Sequence, residues 1–197
     1  VRVSNAVNSA LLVEFVNGAR VPDGEVALRG FDPPVVTPPG SSKTLNVFAR
    51  QDRALIPPRA IIQFVLDGTP VFWGPAIIVP PLASPGAGPA DSDRDSLERI
   101  TVAGGEQLLR NSVVGPRLFD GVSDVAAIAF ELCSLYAHPA LTVDVANFPA
   151  TGAVLSVYYS PEKDLLAALT ELAETVPGGA DAWVDAAGAV HFAARGA

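Results

Sequence analysis

His138 and His191 are the two histidines that could serve acid–base chemistry in these 197 residues. A nucleophilic site needs such a base beside its hydroxyl or thiol. His138 precedes Pro139 at the end of a helical pattern, and His191 lies in an apolar run. Both therefore read as structural, His138 as a helix-end cation and His191 as a strand side chain. Asp91, Asp93, Asp95 and Glu98 are close enough in sequence to suggest paired-carboxylate hydrolysis of sugars. General acids are tuned by burial and fixed neighbours, whereas a Gly, Pro and Ser setting leaves these carboxylates solvated and independent. The alternation of Asp91, Asp93 and Asp95 also begins like a calcium loop, but Arg94 in fourth place, Leu97 in seventh and Val102 in twelfth stop the match. What is left for these three aspartates is a weak ion site or a partner contact.

Gly104-Gly105 lacks the Rossmann and Walker spacings and reads as a strand-to-helix turn. Phe72 and Trp73 could stack on a sugar or on a partner protein. Adjacent strand residues face opposite sides, so one of them is expected in the core and the other at a contact surface. Cys133, the single cysteine, falls on the apolar side of a helical pattern and is expected to be buried; it offers no disulfide and no thiolate cluster. The expectation is no catalytic residue, no cofactor and no metal, with Phe72, Trp73, Asp91, Asp93 and Asp95 as candidate partner contacts.

These residues must be positioned by elements, and the pattern changes partway along the chain. Through the first hundred residues, short β-branched or aromatic runs are each closed by Gly, Pro, Asn or Asp. The candidate strands are Ala10 to Val16, Glu25 to Leu28, Thr44 to Ala49, Ala60 to Leu66, Val71 to Val79 and Glu98 to Ala103. Asp67-Gly68 turns the fourth into the fifth. Open edges on so many short strands invite aggregation, so a barrel is favoured over a flat sheet, with an open sandwich as the alternative. Residues 80–96 are poor in large apolar groups and read as a mobile loop.

From Gly104 helices alternate with strands. Glu106 to Asn111 reads as a short helix. Ser123 to Ala137 reads as a longer one, capped by Ser123, with Val125, Ile128, Ala129, Leu132, Leu135 and Tyr136 as its stripe. Leu141 to Val145 and Val154 to Tyr158 read as strands. A second amphipathic helix begins at Ser160-Pro161-Glu162, carries Leu165, Leu169, Leu172 and Val176, and stops at Pro177-Gly178-Gly179. A terminal hairpin around Gly188 joins Ala182–Asp185 to Ala189–Phe192. The fold class expected is α+β: a mainly-β barrel over residues 1–103, then a smaller α+β unit over residues 104–197.

A net charge of −8, with lysine at Lys43 and Lys163 only, opposes gripping a phosphate backbone. Residues 68–90 carry no charge, but six prolines there break any spanning helix, so no membrane insertion is expected. The N-terminus has no secretion-signal pattern, since Asn5, Asn8 and Glu14 interrupt it, and synthesis in a cytoplasm is expected.

In order, the features resemble the tail-tip or baseplate hub proteins of long-tailed bacteriophages and of related contractile injection machines. The residues that carry the resemblance begin with Gln63-Phe64-Val65-Leu66-Asp67-Gly68, Pro70-Val71-Phe72-Trp73-Gly74, and Arg99 to Gly104 leading into Glu106-Gln107-Leu108-Leu109. They continue through the Ser123 helix, the Tyr158-Tyr159-Ser160 helix start, and Trp183-Val184-Asp185 with Gly188 and Val190-His191-Phe192. The resemblance implies a tail-tube-like barrel and a virion subunit without an active site, made in the cytoplasm of a host bacterium. It also implies self-assembly into a ring, a trimer favoured over a hexamer, that contacts tail tube, distal-tail, tip or fibre proteins and lets DNA pass. A distal-tail adaptor is a close variant of that reading. A carbohydrate-binding β-module and a tail-associated hydrolase are the alternatives from other classes.

Overall fold

The computed structural model describes residues 9–16, 19–20, 25–26, 28–32, 44–50, 59–78 and 97–196. The chain is mixed α+β and divides into two compact units, the second beginning at Gly105.

The first unit is built around one eight-stranded sheet. Its strands are β1 (Ser9–Val16), β2 (Ala19–Arg20), β3 (Glu25–Val26), β4 (Leu28–Asp32), β5 (Thr44–Arg50), β6 (Ile61–Leu66), β7 (Thr69–Ile78) and β8 (Leu97–Ala103). The spatial order is β2-β1-β6-β7-β8-β5-β4, with β3 also paired to β1, and every pairing is antiparallel. The expected Asp67-Gly68 turn joins β6 to β7. Both residues take left-handed backbone, at φ 50 and 77, as a primed two-residue hairpin turn requires. Leu45, Ile61, Ile62, Phe64, Ile100 and Val102 form the core. Gly74 lets β7 approach the end of β8 closely: a Cβ there would lie 1.9 Å from the Ala103 carbonyl oxygen.

The second unit opens with α1 (Glu106–Arg110), β9 (Val113–Val114) and β10 (Arg117–Asp124), and α2 (Val125–Tyr136) follows. Then come β11 (Val154–Tyr159), β12 (Lys163–Asp164), α3 (Leu165–Thr175), β13 (Ala180–Val184) and β14 (Val190–Ala194). The strands pair as three antiparallel ribbons, β10 with β11, β9 with β12 and β13 with β14. Helix α3 packs on α1, α2 and β13, and α2 packs on β10 and β14. Leu165, Leu169, Leu172 and Val176 are buried, as their spacing predicts.

Several expectations are corrected here. The longer helix starts at Val125 with Asp124 as its cap, while Ser123 belongs to β10; the Asp124 carboxylate takes the Ala126 N–H that the expected cap would have taken. Leu135, expected on the buried stripe, is exposed, whereas Cys133 is buried as expected. The second amphipathic helix starts at Leu165, capped by Asp164, because Lys163 and Asp164 first pair with β9. Leu141 to Val145 is not a strand: Thr142 makes an isolated parallel bridge to Ala189, and Val145–Asn147 is a 3-10 turn.

Candidate functional site

The candidate aromatic contact is inside the fold. Phe72 and Trp73 are 5% and 3% exposed, so both faces of β7 are covered at that point. Asp91, Asp93 and Asp95 lie outside the described residues.

Two carboxylates in the second unit organise the chain around them. Asp124 accepts from the backbone N–H groups of Ala126 at 2.8 Å, Gly152 at 2.8 Å and Thr151 at 3.1 Å, and from the Thr151 hydroxyl at 3.3 Å. Burial raises its pKa, but the hydrogen bonds outweigh burial and hold it below the ordinary 3.8. Asp185 accepts from Ala187 N–H at 2.8 Å, Ala189 N–H at 2.9 Å and His191 Nε2 at 2.9 Å. Burial again acts upward, and the His191 hydrogen bond, the two backbone donors and the His191 charge bring it below 3.8. The His191 ring stacks on Trp183, centroids 4.9 Å apart and planes 6° from parallel. This is a carboxylate-anchored hairpin lock, and among the described residues no hydroxyl or thiol is hydrogen-bonded to the imidazole in it.

His138 is not the expected helix-end cation. Its Nδ1 accepts the Ala140 N–H at 3.1 Å, and burial lowers its pKa from 6.5; both favour the neutral ring. Burial pushes the Cys133 thiol up to about 12, which makes it a packing residue without thiolate reactivity.

A cleft of about 170 Å³ between α3 and the β13–β14 hairpin is lined in part by Thr170, Glu174, Asp181 and Arg195. The Thr170 hydroxyl donates to Leu166 O and Arg195 pairs with Asp181, so these three side chains serve the fold. Among the described residues no group of three His, Cys, Asp or Glu side chains could hold a metal ion, and no helix is long and apolar enough to cross a membrane.

The ribbon of β10 and β11 presents a different kind of surface, one that sequence reasoning did not single out. One face is inward: Phe119 and Tyr159 are buried and meet edge to face, centroids 6.4 Å apart. Alternation sends Val154, Ser156 and Tyr158 to the other face, and Leu118 stands directly across from Tyr158. Leu118, Tyr158 and Val154 are 61%, 59% and 58% exposed. Ser156 closes the middle of this face by donating from its hydroxyl to Phe119 O at 3.1 Å. The signal in the sequence was β11 itself, whose uncharged alternation was legible; its partner β10 was not, because Asp120 and Gly121 interrupt the run. The surface can do no covalent chemistry, but it can bury apolar area against a partner.

The fold is shared with solved tail proteins. A tail protein from Neisseria meningitidis aligns with 95% of this chain at TM-score 0.57 and 14% identity. The 43 kDa tail protein of prophage MuSo2 from Shewanella oneidensis aligns with 97% of it at TM-score 0.50 and 15% identity. The chain spans about half the length of these two proteins, 51% and 56%. No family model matches the chain, and no curated protein matches it by sequence.

Proposed function

We propose that the chain is a structural subunit of a bacteriophage tail, positioned at the tail tip or baseplate hub, where copies form a ring that joins the tail tube to the tip. The observation that carries this reading is the fold shared over 95% of the chain with one tail protein and 97% with another. A trimer is the favoured ring and a hexamer the alternative; the other partners are tail tube, distal-tail, tip or fibre proteins.

The first unit serves this role as a tail-tube-like barrel. A strand has two hydrogen-bonding edges, and β6 occupies one edge of β1, so β2 and β3 share the other. β4 begins two residues after β3 ends and pairs with β5, at the far end of the sheet's order. One returning run of chain thus bridges the two ends of the sheet, which supports closure. A boundary at residues 103/104 separates this barrel from the α+β unit.

The role is non-enzymatic: Asp185 and His191 of the hairpin are engaged with each other and with the backbone of the turn. At −8 per chain, a channel-lining surface of acidic character repels DNA phosphates and lets the genome pass without sticking. Native mass spectrometry of the full chain tests the reading. A trimer or hexamer supports it; a strict monomer that also fails to join tail-tube or distal-tail proteins overturns it.

A further inference from the structure

We infer that His138 is an acid-sensitive latch at the exit of α2: its neutral ring holds the turn that carries the chain to the terminal hairpin, and a proton on that ring opens the turn. One residue supplies both acceptors of the turn. The His138 carbonyl oxygen accepts the Leu141 N–H at 2.9 Å, and the ring Nδ1 accepts the Ala140 N–H at 3.1 Å. Ala140 and Leu141 are buried, so an amide there that loses its acceptor is left with its full desolvation cost. Nδ1 can accept only in the tautomer that carries its proton on Nε2. Protonation turns Nδ1 from acceptor into donor, and two N–H groups would then face each other across 3.1 Å. The turn relieves that clash by opening.

What the turn holds in place is the hairpin. Thr142, the residue after Leu141, donates its N–H to Gly188 O and accepts the Val190 N–H, both at 2.9 Å, which makes its parallel bridge to Ala189. Gly188 and Ala189 belong to the turn between β13 and β14 that Asp185 closes. Opening at Ala140 thus reaches the hairpin through two residues of chain. The titratable groups on the elements around the turn are Glu131, Cys133 and Tyr136 of α2, Asp144 at the 3-10 turn, and Asp185 and His191 of the hairpin. Glu131 pairs with Arg117, Asp144 takes the Ala146 N–H and Asp185 takes His191, so these carboxylates are committed elsewhere. The direction in pH follows from burial, which lowers the His138 pKa from 6.5. The contribution of the latch is complete above 6.5 and is lost as pH falls through the folded value. That loss begins before aspartates start to bind protons.

The test is amide hydrogen exchange of the full chain, read residue by residue by NMR between pH 7.5 and pH 4.5 and corrected for intrinsic exchange rates, for the wild type beside His138→Asn. An asparagine oxygen can take the N–H two residues on and does not titrate. The expected result is that wild-type protection at Ala140, Leu141, Thr142 and Val190 falls about tenfold on acidification, the ratio that roughly 1.4 kcal/mol sets, with a midpoint that coincides with the titration of the His138 ring resonances. Leu169 and Leu172, buried in α3, keep their protection, and His138→Asn keeps the turn closed at both ends of the range. Wild-type protection that is the same at both pH values overturns the latch. So does a fall that Leu169 and Leu172 share, which would report general acid unfolding, and so does a His138→Asn variant that follows the wild-type profile, which would assign the titration to another group. Should that variant not fold, the wild-type midpoint set against the His138 ring titration decides alone: a mismatch overturns the assignment.

Discussion

At the scale of single residues, the Asp124 and Asp185 carboxylates each collect several donors, from segments far apart in sequence or around a tight turn. Both pKa values are lowered from 3.8. A carboxylate whose folded value is depressed contributes stability that is complete above its unfolded value and is lost as pH falls through the folded one. The second unit should therefore lose stability on acidification below about pH 4, where unfolded aspartates begin to bind protons. Melting temperatures followed from pH 6 to pH 2.5 should fall steeply in the wild type and more gently in an Asp124→Asn, Asp185→Asn double variant; parallel curves would show that other groups control acid unfolding. Asp124→Ala should cost about 1–2 kcal/mol through the lost helix cap, measured by urea denaturation. Cys133, pushed up to about 12 and buried, should react with a thiol reagent only as α2 opens. Labelling at the rate of an exposed thiol under native conditions would contradict that packing.

At the scale of elements, the decisive contacts are backbone approaches that no residue type announces by itself. Gly74 has φ +158, which side chains rarely adopt, and the Ala103 carbonyl oxygen lies 1.9 Å from where a Cβ would be. Gly74→Ala must push β7 away from the end of β8 and should destabilise the first unit by about 1–3 kcal/mol, the usual range for overpacking. An unchanged denaturation midpoint would mean the strands part without cost. The strands β1 and β5 to β8 were legible within a residue or two, since their β-branched runs end in turn formers and Asp67-Gly68 specifies its own hairpin. The helix starts were not. Ser123 and Ser160 were plausible caps on local grounds, yet Asp124 and Asp164 took the role because tertiary pairing held Ser123 in β10 and Lys163-Asp164 on β9. Leu141 to Val145 had the alternation of a strand without a neighbour to complete a ladder. Phe72 and Trp73 were placed on opposite faces by alternation, but burial of both depends on what covers each face, which is a tertiary fact. The apolar ribbon face was invisible for the same reason: Leu118 and Tyr158 become neighbours only when β10 and β11 pair, forty residues apart.

For the whole molecule the governing quantity is charge. Every copy carries −8, so the proposed ring would accumulate like charge, and this repulsion would oppose any apolar contact between copies. The Debye length is about 10 Å at 0.1 M salt and about 3 Å at 1 M, so added salt removes long-range repulsion between acidic surfaces and leaves apolar burial largely intact. Assembly of copies through an apolar contact should therefore strengthen with ionic strength. Analytical ultracentrifugation between about 0.02 M and 0.5 M sodium chloride should show the assembled fraction rising, since screening acts over that whole range. A contact built on ion pairs would give the opposite slope, because screening weakens attraction between unlike charges as readily as repulsion between like ones. Dissociation by salt would thus count against an apolar contact, and the search for the interface would then turn to the exposed ion pairs of the second unit, Arg117 with Glu131 and Arg195 with Asp181.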